Sequence, residues 1–272
     1  MSGPHGSPGA APVVVKLGGR ALEGPAATRE LAAALRRLPG PAVVVHGGGA
    51  EVSRWCGRLG LAPRFHDGLR VTDPATLEVA AAVLAGLANK RLVAALRAAG
   101  LDAVGLAALD GGTLAAVAHP EAARLGEVGA VGGADPALLR DLHAAGRVPV
   151  LSSLGAEGER LLNLNADDVA AALAAALAAA DLVLLSDAPG LVLGGAVVPT
   201  LAGGDLEAVL DHPEVRDGMR PKLRAAARAL AGGAGRAHIA AWQGPLTLSR
   251  LLAGEATGTT IYPAAAPAAR PA

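Results

Sequence analysis

Six short stretches of this 272-residue chain carry side chains able to do chemistry. Lys16-Leu17-Gly18-Gly19 sets an ammonium group beside two glycines whose bare N–H groups can approach phosphate oxygens. His46-Gly47-Gly48-Gly49 places three glycines before a helix, freeing N–H groups to bind an anion at the helix's positive end. Gly68-Leu69-Arg70-Val71-Thr72-Asp73 offers a guanidinium that can clamp a carboxylate through two parallel hydrogen bonds. Asn163-Leu164-Asn165-Ala166-Asp167-Asp168 offers two amides that both donate and accept, and two carboxylates. Gly218-Met219-Arg220-Pro221-Lys222 opens a helix with Lys222 projecting from it, and Ser186-Asp187-Ala188-Pro189-Gly190 ends a strand.

Each stretch also has an ordinary reading. A lysine at a strand-to-helix turn is commonly solvated, and a loop arginine commonly lies on the surface. His46 reads as a packing residue at a strand end. Thr72 or Asp73 is expected to cap the helix starting at Pro74 or Ala75. One of Asp167 and Asp168 is expected to cap the Ala-rich helix, leaving the other to position cations. Composition weighs on the functional side. The chain has 21 arginines but three lysines, Lys16, Lys90 and Lys222, and three asparagines, Asn89, Asn163 and Asn165. Lysines kept in so arginine-rich a chain are candidates for sites that need a compact point charge. Other familiar chemistries are excluded, because no GxxxxGK[ST], HExxH, GxSxG or CxxC pattern occurs.

These residues need a scaffold that brings distant loops together. Val13–Val15 and Ala42–Val45 read as buried strands, each closed by a glycine loop. Helical spacing covers 25–38, roughly 50–60 and 75–99, the last with Leu77, Leu84, Leu87, Leu92 and Leu96 on its pattern. Asp102–Leu106 and Ala115–Val117 read as strands, and Gly126–Gly133 as a hairpin or short connection. Helices over 136–145 and ~167–179 precede strands at Val148–Leu151 and Leu182–Leu185. A helix near Pro221 and a last strand around Ala237–Ala240 complete the pattern. Such alternation predicts an α/β fold: a three-layer αβα sandwich with a mostly parallel open sheet, binding ligands at the carboxyl ends of its strands.

Twenty-four basic residues balance 24 acidic ones, which argues against nucleic acid or an anionic membrane as main partner. The uncharged run Val169–Ala180 falls short of the ~18 residues of a membrane span. The single cysteine, Cys56, can form no internal disulfide, pointing to a reducing, cytoplasmic setting. The start shows no basic region followed by an apolar one, so no signal peptide is expected. Residues 1–11 and 263–272 are rich in Gly, Pro and Ala and are expected to be unordered. The working chain divides near residue 180 into two lobes, 12–180 and 181–262.

In order, KLGG, HGGG, GLRVTD, LNADD, SDAPG and GMRPK resemble the acetylglutamate kinases of the amino-acid-kinase family, over essentially the whole working chain. The resemblance implies an αβα sandwich with an N-terminal acyl-amino-acid site and a C-terminal nucleotide site. It implies phosphorylation of the side-chain carboxylate of N-acetyl-L-glutamate by ATP, with Mg2+ carried on the nucleotide, in arginine biosynthesis. Lys16 and Lys222 then neutralise the phosphoryl group in flight, and Asp167 holds both lysines. Gly48 and Gly49 lie beside the reacting carboxylate, while Arg70 and Asn163 grip the α-carboxylate. Gly18, Gly19, Ser186, Asp187, Gly190 and Met219 lie along the nucleotide, and no protein-held metal is expected. The chain departs from the family pattern at Ala107-Ala108-Leu109, at Asp217 before Gly218, and at Arg20. Arginine-inhibited members carry an N-terminal helix that this Gly/Pro-rich start cannot form, so an arginine-insensitive homodimer is expected. Two alternatives stand beside this reading: a kinase for carrier-protein-linked aminoadipate or glutamate, and an inactive regulatory homologue.

Overall fold

The computed structural model describes residues 10–18, 24–216 and 218–264. Apart from positions 10, 11, 263 and 264, the terminal segments expected to be unordered lie outside these residues. Eight strands make the central sheet: β1 (Val13–Leu17), β2 (Ala42–His46), β3 (Ala103–Ala107), β4 (Val148–Ser152), β5 (Asp181–Ser186), β6 (Thr200–Ala202), β7 (Arg236–Ala241) and β8 (Thr259–Tyr262). Their order is β6-β8-β7-β5-β1-β2-β4-β3. Every neighbouring pair from β7 to β3 is parallel. β8 runs antiparallel to β7 and carries β6 parallel to itself at the edge.

Parity along each strand builds the layers. Successive side chains point to opposite faces, so an uninterrupted apolar strand serves two cores at once. Val14, Val43, Val45, Leu151, Leu182 and Leu184 pack on one face, with Val169, Leu173, Leu223 and Ala226. Those partners belong to helices α5 (Ala166–Ala176) and α6 (Met219–Ala231). Val13, Val15, Val44, Val150 and Val183 face the other way, against Leu31, Leu35, Leu92 and Leu96. These last come from α1 (Gly24–Leu35) and α3 (Pro74–Ala98). The outcome is helix, sheet, helix, as expected. Helices α2 (Gly49–Arg58) and α4 (Ala137–Ala144) complete the principal set.

Three features differ from expectation. α3 is one helical run, but Ala82–Ala88 within it is π-helical. All seven of those residues are small or apolar, so spacing carries no phase information there. Among the described residues α3 is also long and apolar enough to cross a membrane, by length and composition. Here Val79, Ala80, Val83, Leu84, Leu92 and Leu96 bury one side of it in the protein. Second, of the two readings of Gly126–Gly133, hairpin or short connection, the antiparallel one holds, but as a full strand, Gly129–Ala134, paired with Leu114–Ala118. Third, β7 is not the last strand; β8, only four residues long, was too short to show a period.

Candidate active site

Lys16 lies one residue from the end of β1 and shares the parity of Val14. It therefore leaves the sheet on the face covered by α5 and α6. The first turns of those two helices carry Asp167 and Lys222, and the three side chains meet. Lys16 Nζ lies 2.8 Å from Asp167 Oδ1, and Lys222 Nζ donates to Asp167 Oδ2 at 3.0 Å. All three are largely buried, the Asp167 side chain being 6% exposed. Burial pulls the Lys16 pKa down, against the pull of Asp167, and nearby Lys222 lowers it further. Burial also works against the Asp167 charge, but the two ammonium groups outweigh it and hold the carboxyl below its ordinary range. Gly18 makes room for this arrangement: a Cβ there would lie 2.7 Å from Lys16 Nζ and 2.8 Å from the Leu185 carbonyl.

The helix cap falls elsewhere than expected. Neither aspartate caps α5, because the helix begins at Ala166 and Asn165 is its N-cap. Asn165 Oδ1 accepts from Asp167 N at 2.8 Å and from Asp168 N at 3.4 Å. That leaves Asp167 for the lysines, while Asp168 pairs with Arg228. The other expected cap is present: Asp73 Oδ1 accepts from Thr76 N at 2.8 Å, and Pro74 opens α3.

A cavity of about 1020 Å³ opens beside this centre, lined by Lys16, Gly47, Gly48, Gly49, Arg70, Asn163 and Asp167 among others. α2 begins at Gly49, so its free N–H groups and positive end belong to the cavity wall. Arg70, 7% exposed, is held by its own neighbours: Nη2 donates to the Gly49 carbonyl and to Ser53 Oγ, each at 2.7 Å. The Phe65 ring covers the guanidinium, its centre 4.7 Å away. Among the described residues, buried Arg70 Nη1 has no hydrogen-bond partner, and burial lowers the pKa of the group. Both costs are relieved by an anionic ligand. Asn163 Nδ2 donates to Thr72 Oγ1 at 3.1 Å, and Thr72 Oγ1 donates to the Arg70 carbonyl at 2.9 Å, which couples the two expected ligand groups.

A second cavity of about 390 Å³ is lined by Lys16, Gly18, Ser186, Asp187, Ala188, Arg216, Gly218, Met219 and Lys222. Lys16, Gly18 and Asp187 belong to both cavities, while Asp167 lines only the larger and Lys222 only the smaller, so Lys16 stands between them. Gly190 does not join this wall. It lies against Thr259 and Val197, where a Cβ would come within 2.8 Å of Thr259 Oγ1. Gly19 lies outside the described residues. Sequence reasoning passed over Asn165 as cap, Ser153 and Glu51 on the larger cavity, and Arg216 on the smaller. Only Asn165 carried a signal, as the residue just ahead of the Ala-rich run.

Two cavities thus adjoin at a paired ammonium centre, an arrangement that suits group transfer between two anions. Comparison with known proteins agrees. Acetylglutamate kinase of Chloroflexus aurantiacus is 44% identical over 229 residues, 83% of this chain and 90% of that one. Acetylglutamate kinase of Methanopyrus kandleri is 43% identical over 243 residues, 86% of this chain and 96% of that one. N-acetylglutamate synthase from Neisseria gonorrhoeae, solved with coenzyme A and N-acetyl-glutamate, aligns over 94% of this chain and 60% of that one, with 28% identity and a TM-score of 0.79. Carbamate kinase from Giardia lamblia bound to AMP-PNP shares the fold, at 15% identity and a TM-score of 0.69 over 94% of this chain and 99% of that one. With residues 11–241 matching the profile of the amino acid kinase family, and relatives this similar along most of its length, the chain belongs to that family.

Proposed function

We propose that this chain transfers the γ-phosphoryl group of ATP to the side-chain carboxylate of N-acetyl-L-glutamate, giving N-acetyl-L-glutamyl 5-phosphate for arginine biosynthesis. The observation that carries the reading is the pair of ammonium groups meeting on one buried carboxylate between two cavities. A side-chain carboxylate is already ionised at neutral pH, so the reaction needs no general base. It needs two anions held in line and the charge of the transferred group stabilised. Lys16 and Lys222 supply that charge, and Asp167 fixes where they stand. Gly48 and Gly49 donate main-chain N–H groups beside the acceptor, while Arg70 and Asn163 hold its α-carboxylate.

The acyl-amino-acid site is assigned to residues 12–180 and the nucleotide site to 181–262. In support, the larger cavity is lined by residues up to Asp167 plus Asp187, and the smaller draws on 186–222 plus Lys16 and Gly18. ATP is the donor, and Mg2+ enters with it as part of the substrate rather than on a protein site. Gly18, Ser186, Asp187 and Met219 are assigned to the nucleotide. A cytoplasmic homodimer completes the proposal; the lone cysteine is free and buried, which suits a reducing compartment. The carrier-linked and inactive alternatives are not favoured, given acetylglutamate kinases among the relatives and all three charged groups in contact.

The test is ADP release with a panel of N-acetylglutamate, glutamate, aspartate and aminoadipate derivatives, with hydroxylamine to trap the acyl phosphate. Hydroxamate from N-acetylglutamate above all others is expected. Preference for another acceptor, or ADP release without hydroxamate, would overturn the assignment.

A further inference from the structure

The smaller cavity has a third cation that none of the sequence motifs flagged. Arg216 reaches its wall from the turn before α6. Its Nε donates to the Pro213 carbonyl at 2.7 Å, which fixes the root of the guanidinium and directs this contact away from its terminal nitrogens. The turn itself is anchored. Val215 N donates to the His212 carbonyl at 2.9 Å, and Met219 N donates to the Arg216 carbonyl at 3.1 Å. Glu214 Oε2 accepts from Gly194 N at 2.7 Å, tying the turn to the hairpin of Val192–Leu193 and Ala196–Val197.

Charge explains why a third cation matters. Lys16 and Lys222 both spend their contacts on Asp167, and Asp187 lies on the same wall. Both lysines are thus engaged by Asp167, whereas Arg216 adds to that wall a positive charge that Asp167 does not engage, a surplus over the paired lysines. A nucleoside di- or triphosphate is a polyanion and needs that surplus.

Resting on the function proposed above, we infer that Arg216 grips the non-transferred phosphates of the nucleotide and is a specificity-determining residue for that substrate. A planar guanidinium offers phosphate a two-pronged contact that an ammonium group matches only as a point charge. Of the non-transferred phosphates, the one remote from the breaking bond takes up none of the released charge and is held alike before and during transfer, and Arg216 is assigned to it. Such uniform binding acts on KM and leaves kcat alone.

Isothermal titration with ADP, beside steady-state kinetics, tests this on wild type, Arg216→Ala and Arg216→Lys. For Arg216→Ala, the ADP dissociation constant and the KM for MgATP each rise about tenfold or more, the scale of a charge-assisted contact. kcat and the KM for N-acetylglutamate stay within about twofold, and Arg216→Lys falls between. ADP affinity unchanged in Arg216→Ala would overturn the inference. So would a joint rise in both KM values with a lowered melting temperature in both variants, the mark of a collapsed turn. Arg216-dependent ADP binding in a protein that turns over no N-acetylglutamate would refute the proposed substrate and leave this role standing.

Discussion

Asp167 stays ionised although its side chain is buried, because an ammonium group lies within 3.0 Å of each of its oxygens. Its depressed pKa has a sign that matters: the stabilisation is present above the ordinary carboxylate range and is lost as pH falls through the lowered folded value. Lys16 is depressed too, so its ammonium is lost on the alkaline side earlier than an ordinary lysine's. kcat/KM is therefore expected to fall with rising pH, and Asp167→Asn, which removes the counter-charge, moves that fall to lower pH. A pH profile of both proteins checks this; coincident alkaline limbs would count against it. Arg70→Ala removes a charge-assisted grip on the acceptor. It is expected to raise the KM for N-acetylglutamate by about 10- to 100-fold. Steady-state kinetics read that directly, and an unchanged KM would remove Arg70 from the substrate site.

At the scale of elements, the π-helical stretch in α3 hands over to Asn89, which is fully buried and reads several partners at once. Asn89 Nδ2 lies 3.1 Å from His46 Nε2 and donates to the Val150 carbonyl at 2.9 Å, while His46 Nδ1 lies 2.8 Å from the Gly47 carbonyl. A carbonyl only accepts, so His46 carries its proton on Nδ1 and accepts a hydrogen bond from Asn89 Nδ2 at Nε2. Burial lowers the His46 pKa and favours that neutral form. The glycine loop is thus tied to the helix behind it. Gly105 makes this possible, since a Cβ there would come within 2.2 Å of Asn89 Oδ1. Gly105→Ala is expected to cost about 1–3 kcal/mol, the scale of an overpacked core. Urea unfolding measures it, and wild-type stability would contradict the packing. Asn165→Ala should cost about 1 kcal/mol by loss of the α5 cap. Sequence reasoning found α3 and His46 separately but not their link, because a hydrogen bond between residues 46 and 89 leaves no trace in local spacing. It misplaced the α5 cap for a smaller reason. Asn and Asp are all good caps, and only the true first helical residue decides among them.

At the scale of the whole molecule, β1 in the middle of a parallel sheet lets two remote helices deliver their first turns to one lysine. Part of this was legible: buried strands with glycine loops after them pointed to a candidate site at the carboxyl end of the sheet, whereas the meeting of Lys16, Asp167 and Lys222 was implied by the resemblance to acetylglutamate kinases rather than by local pattern. The edge was not legible, because β8 is short and β6 finds its place only by pairing with it. Nor was the role of Arg216, one of 21 arginines with nothing local to mark it. The proposed homodimer belongs to this scale as well. Light scattering at micromolar concentration should give twice the chain mass of 26.6 kDa, and a monomer mass would refute it.

The central claim is that Lys16 and Lys222 act together on the group in transfer, and single-turnover kinetics at saturating MgATP and N-acetylglutamate test it most directly. Lys16→Ala and Lys222→Ala should each slow the chemical step by at least ~100-fold, the scale of losing one preorganised charge-stabilising donor. Substrate saturation should be little changed. A chemical step at near wild-type speed in either variant would contradict the account.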